Sequence, residues 1–429
     1  MKKTFSPLIL ALSLAIGFSP VATSVYAADT ATTKTKRVPT MRAKVYEQLA
    51  RAQALADEGK PQEAIAALDN VSRKKNSMNS YEIAMMNNFY AFIYYGLEDM
   101  PNAIASFEKV VAEEAIPEGL KLSTLYSLAQ LYMAEEKFEK TVEYTNKWIA
   151  ESKPDTNFVN AYILLAQANY QLKDYDAALE PLIKAIKVTA DSGETPQENW
   201  FVLQRAIYYS MKKPTEVADV TETLVRLFNK AEYWLQLAGM YGELGWEEKQ
   251  LAMMEIAYQQ GFVTKRSDII ALAQLYVYHQ VPVKGAVLME KAMQQGVVES
   301  NVKNLTFLAQ AYTLAKEDSK AIPVLAKAAD LSEDGNLDAQ LGQTYLNLEQ
   351  FELAIEATEK ALKKGDLKDE GRAQLVLGMA YFNLKYFDKS LKALAIAAEH
   401  NGSKKMAQQW KKYVAKEKQH AEQLKQMAS

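Results

Sequence analysis

The sequence predicts an all-α fold, a solenoid of about ten stacked helix pairs closed by a C-terminal capping helix. Three observations carry that expectation. A small residue recurs at one place in a unit of 33 to 39 residues, as Ala52, Ala91, Ala129, Ala166, Ala238, Ala273, Ala309, Gly342 and Gly378. Only Ala or Gly lets two helix backbones approach closely, so each marks a helix crossing. Pro61, Pro101, Pro214 and Pro282 all fall at the seventeenth or eighteenth place of their units. A second helix starts there, and proline's missing donor would have had no partner in that first turn. Composition agrees: Ala, Leu, Lys, Glu and Gln dominate, with only 17 Gly and 12 Pro in 429 residues.

Met1–Ala27 reads as a cleaved export signal. Lys2 and Lys3 precede an apolar run, Leu8–Phe18, that is short for a bilayer span. Val25 and Ala27 supply the small residues of a cleavage site, and Pro7, Gly17 and Pro20 argue against an uncleaved anchor. No membrane insertion is expected after cleavage. The remaining chain holds 48 basic and 53 acidic residues, net −5. Its first segment, 28–44, is a polar basic arm expected to be flexible. Helical units follow over 45–403, with starts near Val45, Ala84, Leu122, Val159, Gln197, Ala231, Arg266, Val302, Gly335 and Gly371. Extra residues fall between units in loop-forming stretches such as Ile116–Gly119 and Asp191–Pro196.

The fifth unit fits least well. Either Gln204 or Ala206 takes its small position, and the first choice puts Glu216 where a second small residue belongs. Two readings stay open, a divergent unit that packs normally and a hinge. Segment 404–429 is helical and carries Met406, Trp410, Tyr413 and Val414 as a short apolar stripe, with seven lysines against Glu417 and Glu422. A solenoid end needs such a helix to cover its last core. The lysines are a solvated face or a contact to anionic lipid or cell wall.

Leu341–Leu362, LGQTYLNLEQFELAIEATEKAL, shows the unit most fully. Leu341, Gly342 and Tyr345 lie on a first helix, Glu349-Gln350 forms a turn, and Phe351, Ala354 and Ala361 lie on a second helix. Trp234, Leu237, Ala238 and Tyr241 repeat the first-helix pattern. The pattern resembles the tetratricopeptide repeat, a helix-turn-helix of about 34 residues, over nearly the whole chain after residue 44. That resemblance implies a right-handed superhelix with a concave groove lined by first helices.

Function classes narrow by elimination. There is no cysteine, hence no disulfide, thiolate metal site or cysteine nucleophile. His279, His400 and His420 are scattered, and no G-x-S-x-G elbow, P-loop or H-E-x-x-H occurs. The chain is expected not to be an enzyme, to need no cofactor or metal, and to bind no nucleic acid. Position nine of the unit, directly after the small residue, is Gln53, Gln130, Gln167, Gln274, Gln310 and Gln343. The resemblance places this position in the groove, together with aromatic residues at positions five and twelve: Tyr95, Tyr126, Tyr170, Phe201 and Tyr208. One amide per repeat offers a donor and an acceptor to an extended peptide backbone. Glutamine is equally a good polar helix former.

Arg37–Gly59, RVPTMRAKVYEQLARAQALADEG, and Met78–Gly96, MNSYEIAMMNNFYAFIYYG, resemble a narrower family. Its members are periplasmic tetratricopeptide proteins associated with a TonB–ExbB–ExbD energy-transduction system. That resemblance implies a periplasmic scaffold for TonB-dependent uptake of iron carriers, with a component of that complex or its client as partner. Two other expectations stand beside it: a scaffold for envelope assembly or polysaccharide export, and a binder of cell-wall glycan.

Overall fold

The structure, a computed structural model, describes residues 39–153 and 156–428. The expected export signal and the arm up to residue 38 lie outside the described residues. Among those described, the chain forms 21 α-helices, one short 3-10 turn and no strand. It divides into two compact units, up to Thr156 and from Asn157.

The first unit holds three helix pairs: α1 (Ala43–Asp57) with α2 (Pro61–Ser72), α3 (Ser80–Gly96) with α4 (Met100–Val111), and α5 (Glu118–Ala134) with α6 (Phe138–Glu151). α1 starts inside the segment read as a flexible arm, and its entry is anchored. Glu82, fully buried in α3, accepts from the Arg42 side chain at 2.8 and 2.7 Å and from the Arg42 backbone N–H at 2.9 Å. Asn79 caps α3 in a reciprocal box with Glu82 and donates to the Thr40 carbonyl at 3.0 Å. The Arg42 guanidinium is the main reason the Glu82 carboxyl titrates at about 2, against 4.5 for a free one.

The second unit holds seven pairs and a last helix. The pairs are α7 (Val159–Gln171) with α8 (Tyr175–Asp191), α9 (Glu198–Ser210) with α10 (Pro214–Phe228), and α11 (Ala231–Glu243) with α12 (Glu247–Gln259). They continue with α13 (Arg266–Tyr278) and α14 (Pro282–Gln294), α15 (Val302–Leu314) and α16 (Asp318–Leu331), and α17 (Asn336–Asn347) and α18 (Phe351–Lys364). α19 (Glu370–Asn383) and α20 (Phe387–Ala397) complete the series, and α21 (Lys404–Ala428) follows. Within each unit a pair packs on itself and its second helix packs on the first helix of the next, which is the tetratricopeptide-repeat solenoid.

Close crossings sit where the small residues are. Ala52, Ala91, Ala129, Ala166 and Ala273 are completely buried. At Gly342 a Cβ would lie 2.2 Å from Thr358 Oγ1, so α17 and α18 meet without room even for a methyl group. Pro61, Pro214 and Pro282 stand at the start of their second helices and Pro101 one place in. Every pair turns through one left-handed residue: Gly59, Glu98, Glu136, Lys173, Lys212, Gly245, Gln280, Lys316, Glu349 and Lys385.

Successive pairs are also tied by polar bonds between helices. Tyr132 on α5 donates to Glu108 on α4 at 2.6 Å, and Tyr312 on α15 to Glu290 on α14 at 2.8 Å. Tyr241 on α11 reaches Glu222 on α10, and Tyr381 on α19 reaches Glu359 on α18. A lysine from the tyrosine's own partner helix covers the ring, as Lys320 over Tyr312 at 5.6 Å, Lys249 over Tyr241 at 5.3 Å and Lys389 over Tyr381 at 5.3 Å. Burial, then the carboxylate, raises the affinity of these phenols for their protons and pushes Tyr381 up to about 12. The series breaks at Tyr345 of α17, because α16 presents Ala326 where the others present a carboxylate. Lys360 and Lys364 of α18 tie this pair back to α16 instead: Lys360 meets Asp330 at 2.5 Å, Lys364 donates to the Ala329 and Ser332 carbonyls at 2.6 and 3.0 Å, and both meet Asp338 of α17, 1% exposed, at 3.2 and 2.7 Å.

The fifth unit begins one residue later than its sequence count. α9 starts at Glu198 and is 13 residues long, as α7, α11, α13 and α15 are, and the left-handed Lys212 is the fifteenth residue from Glu198, the place it takes in every other unit. Neither Gln204 nor Ala206 is buried; Trp200, Phe201 and Ile207 are. At the far end α21 lays Ala407 and Val414, both completely buried, on Leu375, Leu394 and Ala397, with Trp410 beside Phe382 at 5.8 Å.

Candidate partner-binding face

The eleven residues expected in the groove divide between the two units, so each set stands by itself. In the first, Gln53 is half-buried and donates to Asp57 at 2.7 Å, an i,i+4 bond that occupies its amide N–H within α1. Gln130 and Tyr95 are half-buried. Tyr126 packs its ring 5.1 Å from Trp148, and burial raises its pKa. In the second, Gln167 is half-buried, Gln274 and Gln310 are exposed, and Tyr170 packs 6.0 Å from Tyr175. Phe201 is corrected: it is 6% exposed and belongs to the core, 6.2 Å from Phe228 and packed with Leu224 and Leu237. Counted from its own turn at Lys212, Phe201 stands at the fourth place of the unit, which is also buried at Ile269 and Leu305. Tyr208 is half-buried against the same core.

Gln343 is where an expected residue meets a concave surface. It donates to Asn347 at 2.9 Å along α17 and lines a cleft of about 260 Å³ between α17 and α19. Gln340, Lys368, Arg372 and Val376 complete the walls used here. Asn336 makes the floor rigid: its amide donates to the Asp366 carbonyl at 3.1 Å and accepts from the Lys368 N–H at 2.9 Å. Asp369 caps α19 by accepting from the Arg372 N–H at 2.9 Å, which leaves the Lys368 and Arg372 side chains beside two glutamine amides. The cleft is smaller than the roughly 300–1,000 Å³ usual for small-molecule sites and is partly open to solvent. Its chemistry suits a stretch of polypeptide: amides for a backbone, cations for an acidic side chain. Gln340, Lys368 and Arg372 were missed from sequence because no repeat position singles them out. They converge only through the loop that Asn336 holds.

Among the described residues no helix is long and apolar enough to cross a membrane. Nor does any group of three or more His, Asp or Glu among them stand together to hold a metal ion.

The class of fold is the tetratricopeptide-repeat solenoid, and models of that repeat match part of the chain, residues 49–118, 159–192 and 340–404. Proteins of this class act as scaffolds for protein–protein interaction and bind protein partners, and the fold is typically non-enzymatic. No curated protein matches the chain. Among solved structures, YrrB, described as a TPR protein with an unusual peptide-binding site, is 18% identical; the match covers 45% of this chain and 97% of YrrB at a TM-score of 0.36. A tetratricopeptide repeat protein from Parabacteroides merdae ATCC 43184 is 15% identical over 64% of this chain and 100% of its own, with a TM-score of 0.35. The P58(IPK) TPR domain is 15% identical over 87% and 98%, with a TM-score of 0.25.

Proposed function

We propose that this chain is an exported, periplasmic, non-enzymatic scaffold that holds a polypeptide segment of a protein partner, and that the partner belongs to a TonB–ExbB–ExbD energy-transduction system or is its client. The observation that carries the scaffold reading is the cleft between α17 and α19, where Gln340, Gln343, Lys368 and Arg372 converge on a rigid floor. Support for the export reading is the basic start, short apolar run and small cleavage residues of Met1–Ala27. Support for the choice of partner is the resemblance carried by Arg37–Gly59 and Met78–Gly96.

Calorimetry of the purified chain against the purified energy-transducing complex tests both parts. Saturable binding is expected, weakened about tenfold or more in Gln343→Ala/Arg372→Ala with the helical content unchanged. That loss corresponds to one or two hydrogen bonds, of which the charged one is the stronger. Absence of binding would eliminate this partner and leave envelope assembly or export machinery as the next bait. Binding that the double variant does not alter would place the contact elsewhere on the chain.

A further inference from the structure

The end of the first unit where α1 starts and α2 finishes is positive, in a chain whose net charge after Ala27 is −5. The turn that follows α2 reads Arg73-Lys74-Lys75, and a pocket of about 220 Å³ lies between it and the start of α1. Exposed Lys44 and Lys74 stand on its rim, while Val45, Val71 and Met78 give it an apolar floor. Lys44, Arg73, Lys74 and Lys75 have no ion pair among the described residues. Of the acids nearest in sequence, Glu47 is exposed one turn along α1, Glu82 is bound by Arg42, and Asp69 accepts from Tyr90 at 2.5 Å. α1 carries no side-chain cap and no acid in its first turn, so its dipole adds to the cations. The chain also enters here: Lys34, Lys36 and Arg37 precede Pro39 by at most five residues, a reach of no more than about 18 Å.

We propose that this end of the chain docks on an anionic phospholipid surface, with one headgroup seated in the pocket. Its phosphate lies between Lys44 and Lys74, and its glycerol carbons rest on Val45, Val71 and Met78. The contact is adsorption, not insertion. A cationic rim above an apolar floor matches a molecule that passes from charged to apolar within a few bonds, and cations beyond the pocket meet the neighbouring headgroups. Two other occupants match fewer of these features. A free phosphate would use Lys44 and Lys74 and leave Arg73, Lys75 and the residues before Pro39 without a part. An acidic segment of protein presents its carboxylates in a row and calls for cations along a groove, whereas these surround a single pocket. The cleft between α17 and α19 belongs to the other unit, so neither reading rests on the other.

Vesicle flotation of the chain from Ala28 onward tests this, with residues 1–27 left out so that the apolar run Leu8–Phe18 cannot itself enter lipid. The probes are vesicles of phosphatidylglycerol in phosphatidylcholine, vesicles of phosphatidylcholine alone, inorganic phosphate and a polyglutamate peptide. Adsorption is expected on the first vesicles and not the second, and it should weaken as salt rises. A basic residue at an anionic surface is worth roughly fivefold in partition, so Lys44→Glu/Lys74→Glu and Arg73→Glu/Lys75→Glu should each lower adsorption about twentyfold or more. The first pair should lose more, because it holds the seated phosphate. All four side chains are exposed, and both variants should keep wild-type circular dichroism. Lys303→Glu/Lys327→Glu, an equal change of charge on exposed residues of the second unit, should leave adsorption unchanged, as should Gln343→Ala/Arg372→Ala. Equal adsorption on phosphatidylcholine, a loss from the pocket pair no greater than from the turn pair, an equal loss in Lys303→Glu/Lys327→Glu, or absence of adsorption would overturn the proposal. So would phosphate or polyglutamate bound through Lys44 and Lys74 while the vesicles stay free.

Discussion

Gly342 shows how much one atom decides. The Thr358 hydroxyl donates to Ala354 O at 2.6 Å and so cannot swing away from a new methyl group. Gly342→Ala is therefore expected to destabilise its repeat by about 1–3 kcal/mol, as overpacking does. Adding Thr358→Ala should recover much of that, a coupling that a double-mutant cycle in urea would read. Glu82 is the second decisive residue. Its folded pKa of about 2 lies below the ordinary 4.5, so its stabilisation is complete above about pH 4.5 and is lost as pH falls toward 2. Glu82→Gln is expected to cost about 1.5–3 kcal/mol at neutral pH, the range for hydrogen bonds to a charged group. It should also flatten the acid limb of the stability curve between pH 4.5 and 2, followed by circular dichroism.

At the scale of the element, each helix pair is defined by what its neighbours cover. α21 places Val414 against Leu394 with neither exposed. Val414→Ala is expected to cost about 2 kcal/mol in lost transfer energy and residual cavity. Because a solenoid passes stability only between neighbours, hydrogen exchange should quicken in α19 and α20 and stay unchanged in α7 and α8. Uniform acceleration throughout the second unit would show that the last helix is not a local cap. α9 teaches the opposite lesson. Its turn at Lys212 sets the first residue of the unit at Glu198, so Phe201 falls at the buried fourth place and Arg205, neither Ala nor Gly, falls at the eighth.

Across the molecule, tyrosine–carboxylate bonds join one pair to the next in both units. A tyrosine whose pKa is raised in the folded state holds its proton more tightly there than in the unfolded chain. Its contribution is thus complete below about pH 10 and falls as pH rises toward 12, the value for Tyr276 and Tyr381. Alkaline unfolding, followed by tyrosinate absorbance and circular dichroism together, is expected in that interval. Tyr276→Phe/Tyr381→Phe should move part of it to higher pH. Ionisation of these tyrosines near pH 10 without loss of helix would show that the bonds contribute nothing to the stack.

The repeat itself was legible from the sequence because it rests on local chemistry. Small residues permit close crossings, prolines tolerate first turns, and the apolar spacing fixes which helix face is covered. Those rules act within some 34 residues, the reach of one unit. Phe201 escaped them because helix phase depends on where the chain turns, not on the residue at a counted place. The cleft escaped them too, since Asn336 must close on Asp366 and Lys368, about thirty residues away, before Gln343 and Arg372 line one cleft. The sequence determined a stack of helix pairs with a helix at its end. Only the tertiary structure decided which polar side chains converge and which face of that last helix stays open, because both depend on contacts between units that no single unit encodes.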